Sequence, residues 1–371
     1  MAVTVPTRVQ FILKYRENTY TNEDGYSASS TLESGLYNSA RFMVEMLNSQ
    51  PQYYQAEIVQ VLDNNGIDKV VTQFKPDIVI IEAFWVVPEK FEVLNQLHPN
   101  VKWVIRNHSK SAFLANEGIG FDWAIRYTDY KNVFISSNSE VTNGEIAQLV
   151  MSHHPGWSLA QAQARCPFLP NYYPIERLQN ERLDYAPSAT EVHIGCFGAI
   201  RPLKNHVTQA LAAIKFANKI GKKLYFHINA TRLENAGANQ VLKNLQMIFQ
   251  NIGHDLVSHD WMPHAQFLDL VGTMDFALQV SYSETFNIVT ADLVSQGVPV
   301  IVSDEIDWAD GVFIANPNDS DDIAQKLFVA NIYARAQGWV LKNQSNLVKY
   351  NQNTQRVWAN ALATLKATST T

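Results

Sequence analysis

The segment from Ser281 to Ser303 constrains this chain more than any other part of it. It reads SYSETFNIVTADLVSQGVPVIVS and predicts a loop, a helix that opens on Glu284, a Gly-Val-Pro turn and a short buried strand. A helix N-terminus exposes unpaired N–H groups and about half a positive charge, which suits a phosphate. Asp292 follows about two turns later on nearly the same face. Because carboxylates can hold sugar hydroxyls, this pattern suits an anionic sugar derivative. The alternative is a structural helix start, since Ser281 and Glu284 also have the spacing of a capping box.

A second charged motif, GAIRPLKN from Gly198 to Asn205, follows a predicted strand and opens a predicted helix. Lys204 offers a point charge, and Arg201 offers a planar fork of donors. Fixed cations beside a departing diphosphate stabilise the charge that develops in the transition state. We interpret the motif as a diphosphate site. The alternative is a solvated turn before a helix.

The first segment resembles the donor-binding signature of retaining glycosyltransferases with the two-domain GT-B fold, of the glycogen-synthase and group 1 type. That signature is Glu, seven residues, Glu, with Glu-x-Phe-Gly before a helix and Gly-x-Pro-Val after it. The residues that match are Glu284, Phe286, Gly297, Pro299 and Val300. Asn287 stands at the usual Gly position, and Asp292 replaces the second Glu. Asn tolerates unusual backbone angles, so the first change is mild.

The second motif resembles the Gly-Arg-Leu-x-x-x-Lys-Gly loop of the same family. Gly198 and Lys204 match, whereas Ala199 stands at the usual Arg position and Arg201 comes two residues later. The resemblance implies that Lys204 and Arg201 hold the donor diphosphate. It also implies a set of residues around the donor, in which Glu284 and the N–H groups of Phe286 and Asn287 position the sugar and Asp292 reaches the ribose. The donor-binding candidates are Gly35, Gly198, Arg201, Lys204, Glu284, Thr285, Phe286, Asn287 and Asp292.

The first half of the chain contributes candidates at strand ends. His108 follows the predicted strand 101–106, and ligands of open α/β sheets bind beyond the carboxyl ends of strands. His108 resembles a family histidine near the donor sugar, which implies a catalytic role beside Arg201, Lys204 and Glu284; the alternative is a structural surface histidine. Glu82 and Arg106 are assigned to the acceptor side, although Glu82 could instead cap a turn. Gly35 resembles the family's glycine-rich first loop, or is a plain helix start.

Alternating strand and helix signals predict parallel sheets covered by helices on both faces. Strands are predicted at 9–13, 77–81, 101–106, 132–136, 193–197, 224–228, 275–279, 298–302 and 311–315, and helices at 36–47, 205–221 and 338–365. The resemblance implies two Rossmann-like, doubly wound domains that face a cleft, with a C-terminal helix that crosses back to the first. The proline-rich stretch 166–174 and the polar stretch after it predict domains at 1–178 and 179–345 and a returning helix at 346–371.

Composition excludes several classes. The net charge is −6, which gives no global attraction to nucleic acid or anionic membranes, and two cysteines are too few for a disulfide framework. No apolar run approaches the roughly 20 residues of a membrane span, and the first residues lack signal-peptide character, so a cytoplasmic protein is expected. The Asp319-Ser-Asp321 pattern could bind a metal, but it is better interpreted as a helix cap.

These observations predict a hexosyl- or pentosyltransferase that moves a sugar from a UDP- or GDP-sugar to an acceptor hydroxyl, with retention, without a metal and without a permanently bound cofactor. In the mechanism that the resemblance implies, the leaving phosphate accepts the proton and no dedicated base is needed. The alternatives are a sugar-nucleotide epimerase or hydrolase of the same fold and a non-catalytic sugar-nucleotide binding protein. The acceptor could be a saccharide, a small molecule or a hydroxylated DNA base. The overall acidity disfavours the last.

Overall fold

The computed structural model describes residues 5–15, 18–21, 27–30, 34–178, 186–229, 237–333 and 338–367. The strands are β1 Thr7–Lys14, β2 Asn18–Thr21, β3 Ser27–Ser30, β4 Tyr54–Val61, β5 Ile78–Glu82, β6 Lys102–Asn107, β7 Val133–Ser137, β8 Glu191–Gly195, β9 Lys223–Asn229, β10 Asp255–His259, β11 Phe276–Gln279 and β12 Val300–Val302. The helices are α1 Gly35–Asn48, α2 Ile67–Phe74, α3 Lys90–Leu97, α4 Ser111–Leu114, α5 Gly120–Tyr127, α6 Glu140–His153, α7 Leu159–Arg165, α8 His206–Ile220, α9 Ala238–Ile248, α10 His264–Gly272, α11 Ile288–Ser295, α12 Ser320–Tyr333 and α13 Gly338–Ala367.

The chain divides into two compact units. Unit 1 comprises Met1–Arg16, Ser34–Tyr173 and Tyr350–Thr371, and unit 2 comprises Glu17–Glu33 and Pro174–Lys349. The main change of unit comes at Tyr173, within the proline-rich stretch 166–174, and the chain changes back at Tyr350. The grouping of residues 17–33 with unit 2 was not anticipated from the sequence. Its described strands β2 and β3 pair with each other in antiparallel fashion.

Unit 1 contains a five-stranded parallel sheet in the order β4-β1-β5-β6-β7. Every residue of β5 and β6 is buried, which is the burial expected for strands covered on both faces. The aromatic residues Phe91, Trp103 and Tyr127 meet in the core beneath α3 and α5. The edge strand β4 was missed at the sequence level because its polar residues interrupt the apolar run.

Unit 2 contains a second five-stranded parallel sheet, in the order β10-β9-β8-β11-β12. Its core packs α8, α9 and α12 against the sheet through residues such as Phe216, Phe226 and Phe276. The two parallel sheets confirm the predicted α/β class. The predicted strand at 311–315 is wrong: residues Gly311–Phe313 form a 3-10 turn, and only a single bridge joins Ile314 to Val302.

The long helix α13 contributes to both units in succession. In its first part, Gln344 donates to the carbonyl of Val294 at 3.1 Å, a contact within unit 2. Further along, Thr354 donates to the carbonyl of Asn171 at 2.9 Å and the Trp358 indole donates to that of Pro170 at 2.8 Å, both within unit 1. Within the described ranges, no helix has the length and apolar composition needed to cross a bilayer.

Candidate functional site

The strand order of the unit 2 sheet reverses between two neighbouring strands, β8 and β11. From β8 the chain adds β9 and β10 on one side, and it then returns to add β11 and β12 on the other. Ligands of open α/β sheets bind beyond the carboxyl ends of the strands at such a switch point. The loop after β8 carries Lys204, and the loop after β11 carries Glu284. The topology therefore brings the two predicted motifs to one place.

Lys204 and Glu284 are in direct contact. The Lys204 ammonium donates to Glu284 Oε1, although the residues lie 80 positions apart in the chain. Their side chains keep 11% and 7% of their surface exposed, so the pair is sheltered and still reaches solvent. The backbone N–H of Glu284 also donates to Glu305 Oε2 at 3.2 Å. A sheltered ammonium and carboxylate can each exchange the other for a ligand group of suitable charge.

The loop that carries Lys204 is fixed by its own polar side chains. Gly198 has a φ of 115°, a backbone conformation that residues with a Cβ rarely adopt, and its N–H donates to Asn229 Oδ1 at 3.0 Å. Arg201 precedes the 3-10 turn Pro202–Lys204. Asn205, at φ 58°, donates to the carbonyls of Val280 and Pro317. The bond to Val280, the residue after β11, ties the loop after β8 to the end of that strand.

The helix after Glu284 begins later than the sequence predicted. The first residue of α11 is Ile288, and Asn287 is its N-cap, with φ 53° and an Oδ1 that accepts from the N–H of Thr290 at 3.0 Å. The prediction that Glu284 opens the helix is therefore wrong. The reason is that Asn287 adopts the left-handed backbone that Asn tolerates and caps the helix itself. Glu284 and Thr285 lie in the preceding loop.

Two hydrogen bonds hold Asn287 and Phe286 in place. Gln279, the last residue of β11, accepts from the Asn287 amide at 2.9 Å and donates to the carbonyl of Phe197 at 2.9 Å. The indole of Trp308 donates to the carbonyl of Phe286 at 2.8 Å, and the two rings pack with centroids 5.6 Å apart. Phe286 is buried. The two residues that follow Thr285 in this loop are therefore fixed, one by β11 and the other by Trp308.

Asp292 has a partner that the sequence did not reveal. Its Oδ1 contacts Nε2 of His264 at 2.7 Å, and the two side chains are 3% and 9% exposed. His264 is the first residue of α10, 28 positions earlier in the chain. The predicted contact of Asp292 with a ribose would have to share the carboxylate with this imidazole.

A buried histidine lies beside the cations of the loop after β8. His206, the first residue of α8, is 1% exposed, and neither ring nitrogen has a hydrogen-bond partner among the described residues. Burial, reinforced by Lys204 and Arg201, lowers the pKa of His206 to about 3. The imidazole is therefore neutral at physiological pH and adds no charge to this end of the sheet.

In unit 1, the predicted residues Glu82, Arg106 and His108 come together at the carboxyl ends of β5 and β6. Arg106 Nη1 donates to the Glu82 carboxylate at 3.2 Å, and His108 Nε2 contacts Glu82 Oε2. The Glu82 and Arg106 side chains have no exposed surface, whereas the His108 side chain is 16% exposed. Ala83, next to Glu82, has φ 67°, which is uncommon for a residue with a Cβ. His108 is thus the member of this trio that reaches solvent.

Two asparagines close these three residues into a ring, which we call the polar ring. Arg106 Nη2 donates to Asn171 Oδ1 at 2.6 Å, Asn138 Nδ2 donates to the same oxygen at 3.1 Å, and Asn138 Nδ2 lies 3.5 Å from His108 Nδ1. The remaining donors of Arg106 bind the carbonyls of Leu169 and Pro170. The polar ring therefore consists of Glu82, Arg106, His108, Asn138 and Asn171.

Burial shifts the ionisation of the polar ring. On its own, burial would raise the pKa of the Glu82 carboxyl, but Arg106 and His108 together hold that pKa below its usual range. Burial lowers the pKa of His108, and Glu82 opposes part of that shift. At neutral pH the ring therefore contains an ionised carboxylate, a guanidinium and a neutral imidazole.

Gly35 is the first residue of α1 and follows the N-cap Ser34, whose hydroxyl accepts from the N–H of Tyr37 at 3.2 Å. Asp319 caps α12, as predicted, by accepting from the N–H groups of Asp321 and Asp322. Most of the residues that the sequence did not single out share one property: they contact candidates from distant parts of the chain. They are Asn138, Asn171, Asn229, His264 and Glu305. The other two lie near candidates in the chain: Gln279 accepts from Asn287, eight positions away, and the buried His206 follows Lys204 by two positions.

No family model matches the sequence, and no curated protein matches it. The structure does match solved structures. A UDP-forming α,α-trehalose-phosphate synthase from Burkholderia xenovorans superposes with a TM-score of 0.64 at 10% identity, covering 97% of this chain and 99% of that one. Anabaena HepE in complex with UDP-glucose superposes with a TM-score of 0.60 at 10% identity, covering 95% and 99%.

The N-terminal domain of a Candida albicans trehalose-6-phosphate phosphatase also superposes, with a TM-score of 0.65 at 10% identity and 98% coverage of both chains. At these identities the likeness concerns the fold. The chain has the GT-B fold, with a Rossmann-like parallel sheet in each of its two units.

Proposed function

We propose that this protein is a glycosyltransferase that takes a hexose from a UDP-sugar, with UDP-glucose as the first donor to test. The observation that carries the proposal is the contact between Lys204 and Glu284 at the switch point of the unit 2 sheet. Two motifs that were assigned to a diphosphate and a sugar on separate grounds meet there. Structures with the same fold include a UDP-forming synthase and a protein bound to UDP-glucose, which supports UDP over GDP.

In this proposal the diphosphate binds at Lys204 and Arg201. These two cations stabilise the charge that grows on the departing UDP, and in many enzymes such electrostatic stabilisation contributes more to the rate than any other effect. The diphosphate takes the place of the Glu284 carboxylate on Lys204. Glu284 then turns to the sugar hydroxyls, beside the N–H groups of Phe286 and Asn287. Transfer without a metal is part of the proposal because the two cations already supply positive charge at the leaving group. Transfer with retention is proposed from the resemblance of the two motifs to those of retaining enzymes.

Other candidates take supporting roles. Gly198 gives the loop after β8 its left-handed turn, and Thr285 extends the loop that carries Glu284. Asp292 is proposed at the ribose, with His264 holding its carboxylate. On the acceptor side we propose that Glu82 and Arg106 act through His108, since neither has exposed surface. Gly35, at the start of α1, remains a candidate for backbone approach to the ligands.

The test is calorimetric titration of UDP-glucose into the protein and into the Lys204→Met variant. A charge-assisted hydrogen bond contributes about 1.5–3 kcal/mol, so the affinity should fall roughly ten- to hundredfold. The matched control is Lys215→Met, which removes another Lys–carboxylate pair of unit 2; its side chain is 45% exposed and lies 2.7 Å from Asp321. Equal UDP-glucose affinity in the Lys204→Met variant and in the unmodified protein would refute the donor site.

Turnover is measured as UDP release from UDP-glucose, first with water and then with glucose, a hexose 6-phosphate and DNA that contains a hydroxymethylated base. Release that depends on one of these acceptors supports a transferase and names the acceptor class. Free glucose without an acceptor points to a hydrolase. Tight binding with no release in any mixture points to a binding protein.

A further inference from the structure

The loop after β8 and the loop after β11 are joined by hydrogen bonds that involve no charged side chain. The N–H of Tyr282 donates to the carbonyl of Leu203 at 2.9 Å, and the Asn205 amide donates to the carbonyl of Val280 at 3.0 Å. Asn205 and Val280 lie 75 positions apart in the chain. The contact between the ammonium and the carboxylate of the proposed donor site is therefore one of several links between the two loops.

Gln209 adds a link that starts from outside either loop. It is the fourth residue of α8 and is 1% exposed. Its Nε2 donates to the carbonyl of Lys204 at 2.7 Å, and its Oε1 accepts from the N–H of Val280 at 2.8 Å. Because a carbonyl can only accept and an N–H can only donate, these partners fix which end of the amide faces which loop. Gln209 therefore sets the separation between Lys204 and the strand end that leads to Glu284.

Each backbone carbonyl of the turn 201–205 accepts a hydrogen bond. The carbonyls of Arg201, Pro202, Leu203, Lys204 and Asn205 accept, in that order, from the backbone N–H groups of Lys204, Asn205 and Tyr282, from the Gln209 side chain and from the Gln209 backbone N–H. A carbonyl oxygen carries partial negative charge and would repel a phosphate, so a diphosphate site needs its carbonyls engaged elsewhere. The donor to the Lys204 carbonyl is the side chain of this set, and it is therefore the one that a substitution can remove.

The polar head of Gln209 lies among apolar neighbours on α8. Apart from His206 and Gln209, the buried residues of this helix belong to the core of unit 2, and they are Ala210, Ala212, Ala213, Phe216 and Ala217. A buried amide costs stability unless it is hydrogen-bonded, so packing alone would favour an apolar residue at position 209. The amide is explained by its two partners, of which one lies in each loop.

We propose that Gln209 is a positioning residue of the donor site, which holds the backbone of Lys204 at the distance from the Glu284 loop that the donor diphosphate requires. The inference rests on the proposed function and extends it to a residue that touches neither the substrate nor the reacting atoms. Gln209 acts through Lys204, because a shift of the turn would move the ammonium away from the phosphate oxygens. A misplacement of about 1 Å can cost roughly a hundredfold in rate.

The first experiment is calorimetric titration of UDP into the Gln209→Met variant of the full chain. Met is unbranched like Gln, but it offers no donor to the Lys204 carbonyl. UDP is used because, in the proposed function, it engages Lys204 without the sugar contacts of Glu284. We expect the affinity for UDP to fall about three- to tenfold, the factor that loss of a neutral hydrogen bond implies. An unchanged affinity would overturn the proposal.

The matched control is Gln344→Met, which alters another buried glutamine of unit 2. Gln344 is 4% exposed and donates to the carbonyl of Val294 at 3.1 Å. Both variants should lose unfolding free energy in urea denaturation, since each leaves a buried carbonyl without its donor. The Gln344→Met variant should nevertheless bind UDP as tightly as the unmodified protein. Equal losses of affinity in the two variants would mean that Gln209 contributes only to stability.

The second experiment repeats the substitution in the Lys204→Met background. Residues that act through one another give non-additive effects, whereas independent residues give additive ones. If Gln209 acts by placing the Lys204 ammonium, Gln209→Met should change the affinity for UDP by less than about twofold once that ammonium is absent. The same loss in both backgrounds would show that the variant disturbs the site in general, and it would overturn the proposal.

A second variant covers the case in which Gln209→Met does not fold. Gln209→Asn keeps an amide, but its side chain is one methylene too short to reach both partners. It takes the place of the methionine variant in both experiments, and the same outcomes decide.

The two proposals fail in different ways. If neither UDP nor UDP-glucose binds the unmodified protein, the proposed function fails and the role of Gln209 fails with it. If UDP binds and Lys204→Met weakens its binding while Gln209→Met does not, the donor site stands and the positioning role of Gln209 is refuted.

Discussion

The two units place charged residues at the carboxyl ends of similar sheets, yet they hold them differently. In unit 2, Lys204 and Glu284 lie between strands and helices, keep some exposure, and are joined by a direct contact, which a diphosphate replaces in the proposed function. In unit 1, Glu82 and Arg106 lie at the ends of strands with no exposed surface, and their partners close into a ring. The first arrangement suits binding with exchange of partners. The second suits the orientation of one side chain, His108.

The largest expected effect is the loss of unfolding free energy when the buried Arg106–Glu82 pair of unit 1 is broken. Arg106→Met leaves the Glu82 carboxylate buried without its guanidinium, and loss of one partner of a buried pair costs about 3–5 kcal/mol of unfolding free energy. Urea denaturation of the full chain measures the change. The matched control is Arg126→Met, because Arg126 pairs with Asp122 at 3.2 Å with 36% and 58% exposure. Surface pairs of this kind contribute at most about 1 kcal/mol. Similar losses in both variants would remove the contrast between the units.

A second expected effect is acid lability centred on unit 2. Burial lowers the pKa of both His206 and His227 to about 3. In the unfolded chain their pKa is about 6.5, so below that pH the unfolded state binds protons that the folded state does not. The contribution that each neutral histidine makes to the unfolding free energy is fully present above pH 6.5. It is lost as the pH falls towards 3, by about 1.4 kcal/mol per pH unit for each histidine.

The measurement is the unfolding free energy at pH 7, 6 and 5 for the protein and for His206→Leu. Because neither ring nitrogen of His206 has a hydrogen-bond partner among the described residues, the leucine variant should be as stable at pH 7 and should lose one group's share of the pH slope. An unchanged slope would show that His206 is not a buried neutral imidazole.

The smallest expected effect is a gain in affinity for UDP, whereas a mutation in a binding site ordinarily lowers affinity. Glu284→Gln removes the carboxylate that competes with a diphosphate for Lys204, so UDP without a sugar should bind about two- to fivefold more tightly. The sugar of UDP-glucose should no longer add to the affinity, so UDP-glucose should bind no more tightly than UDP. Calorimetry with both ligands tests this, with Asp321→Asn as the control for a change of net charge. Weaker UDP binding in the Glu284→Gln variant would mean that the pair is not exchanged.

The sequence was most informative where chemistry and local structure coincide. The motifs around Lys204 and Glu284 were recognisable because a turn glycine, a cation and a capped helix follow one another at short spacing. The interior strands β5, β6 and β8 were predicted because their apolar runs are nearly continuous. The edge strands β4 and β10 were missed, since a strand with one side open carries polar residues that break the run.

The polar ring shows why the rest could not be predicted. Asn171 meets Ser39, 132 positions away, and Arg106 meets residues more than 60 positions away. Asparagine at such positions carries no periodic or motif signal, because its role depends on which strands become neighbours. The start of α11 failed for a different reason: Asn287 and Ser281 both suit a helix cap, and only the folded backbone selects Asn287.

Helix α13 has a consequence for how the molecule is made. The backbone carbonyls of Pro170 and Asn171, which also border the polar ring, are satisfied by Trp358 and Thr354, and these are translated only after unit 2. On the ribosome, the continuous stretch Pro174–Lys349 can therefore finish folding before the unit that was begun first. Unit 1 cannot complete its core until residues beyond Tyr350 emerge, because its fully buried Trp358 is among them. A stalled or shortened nascent chain would thus expose the half of the molecule that was synthesised earliest.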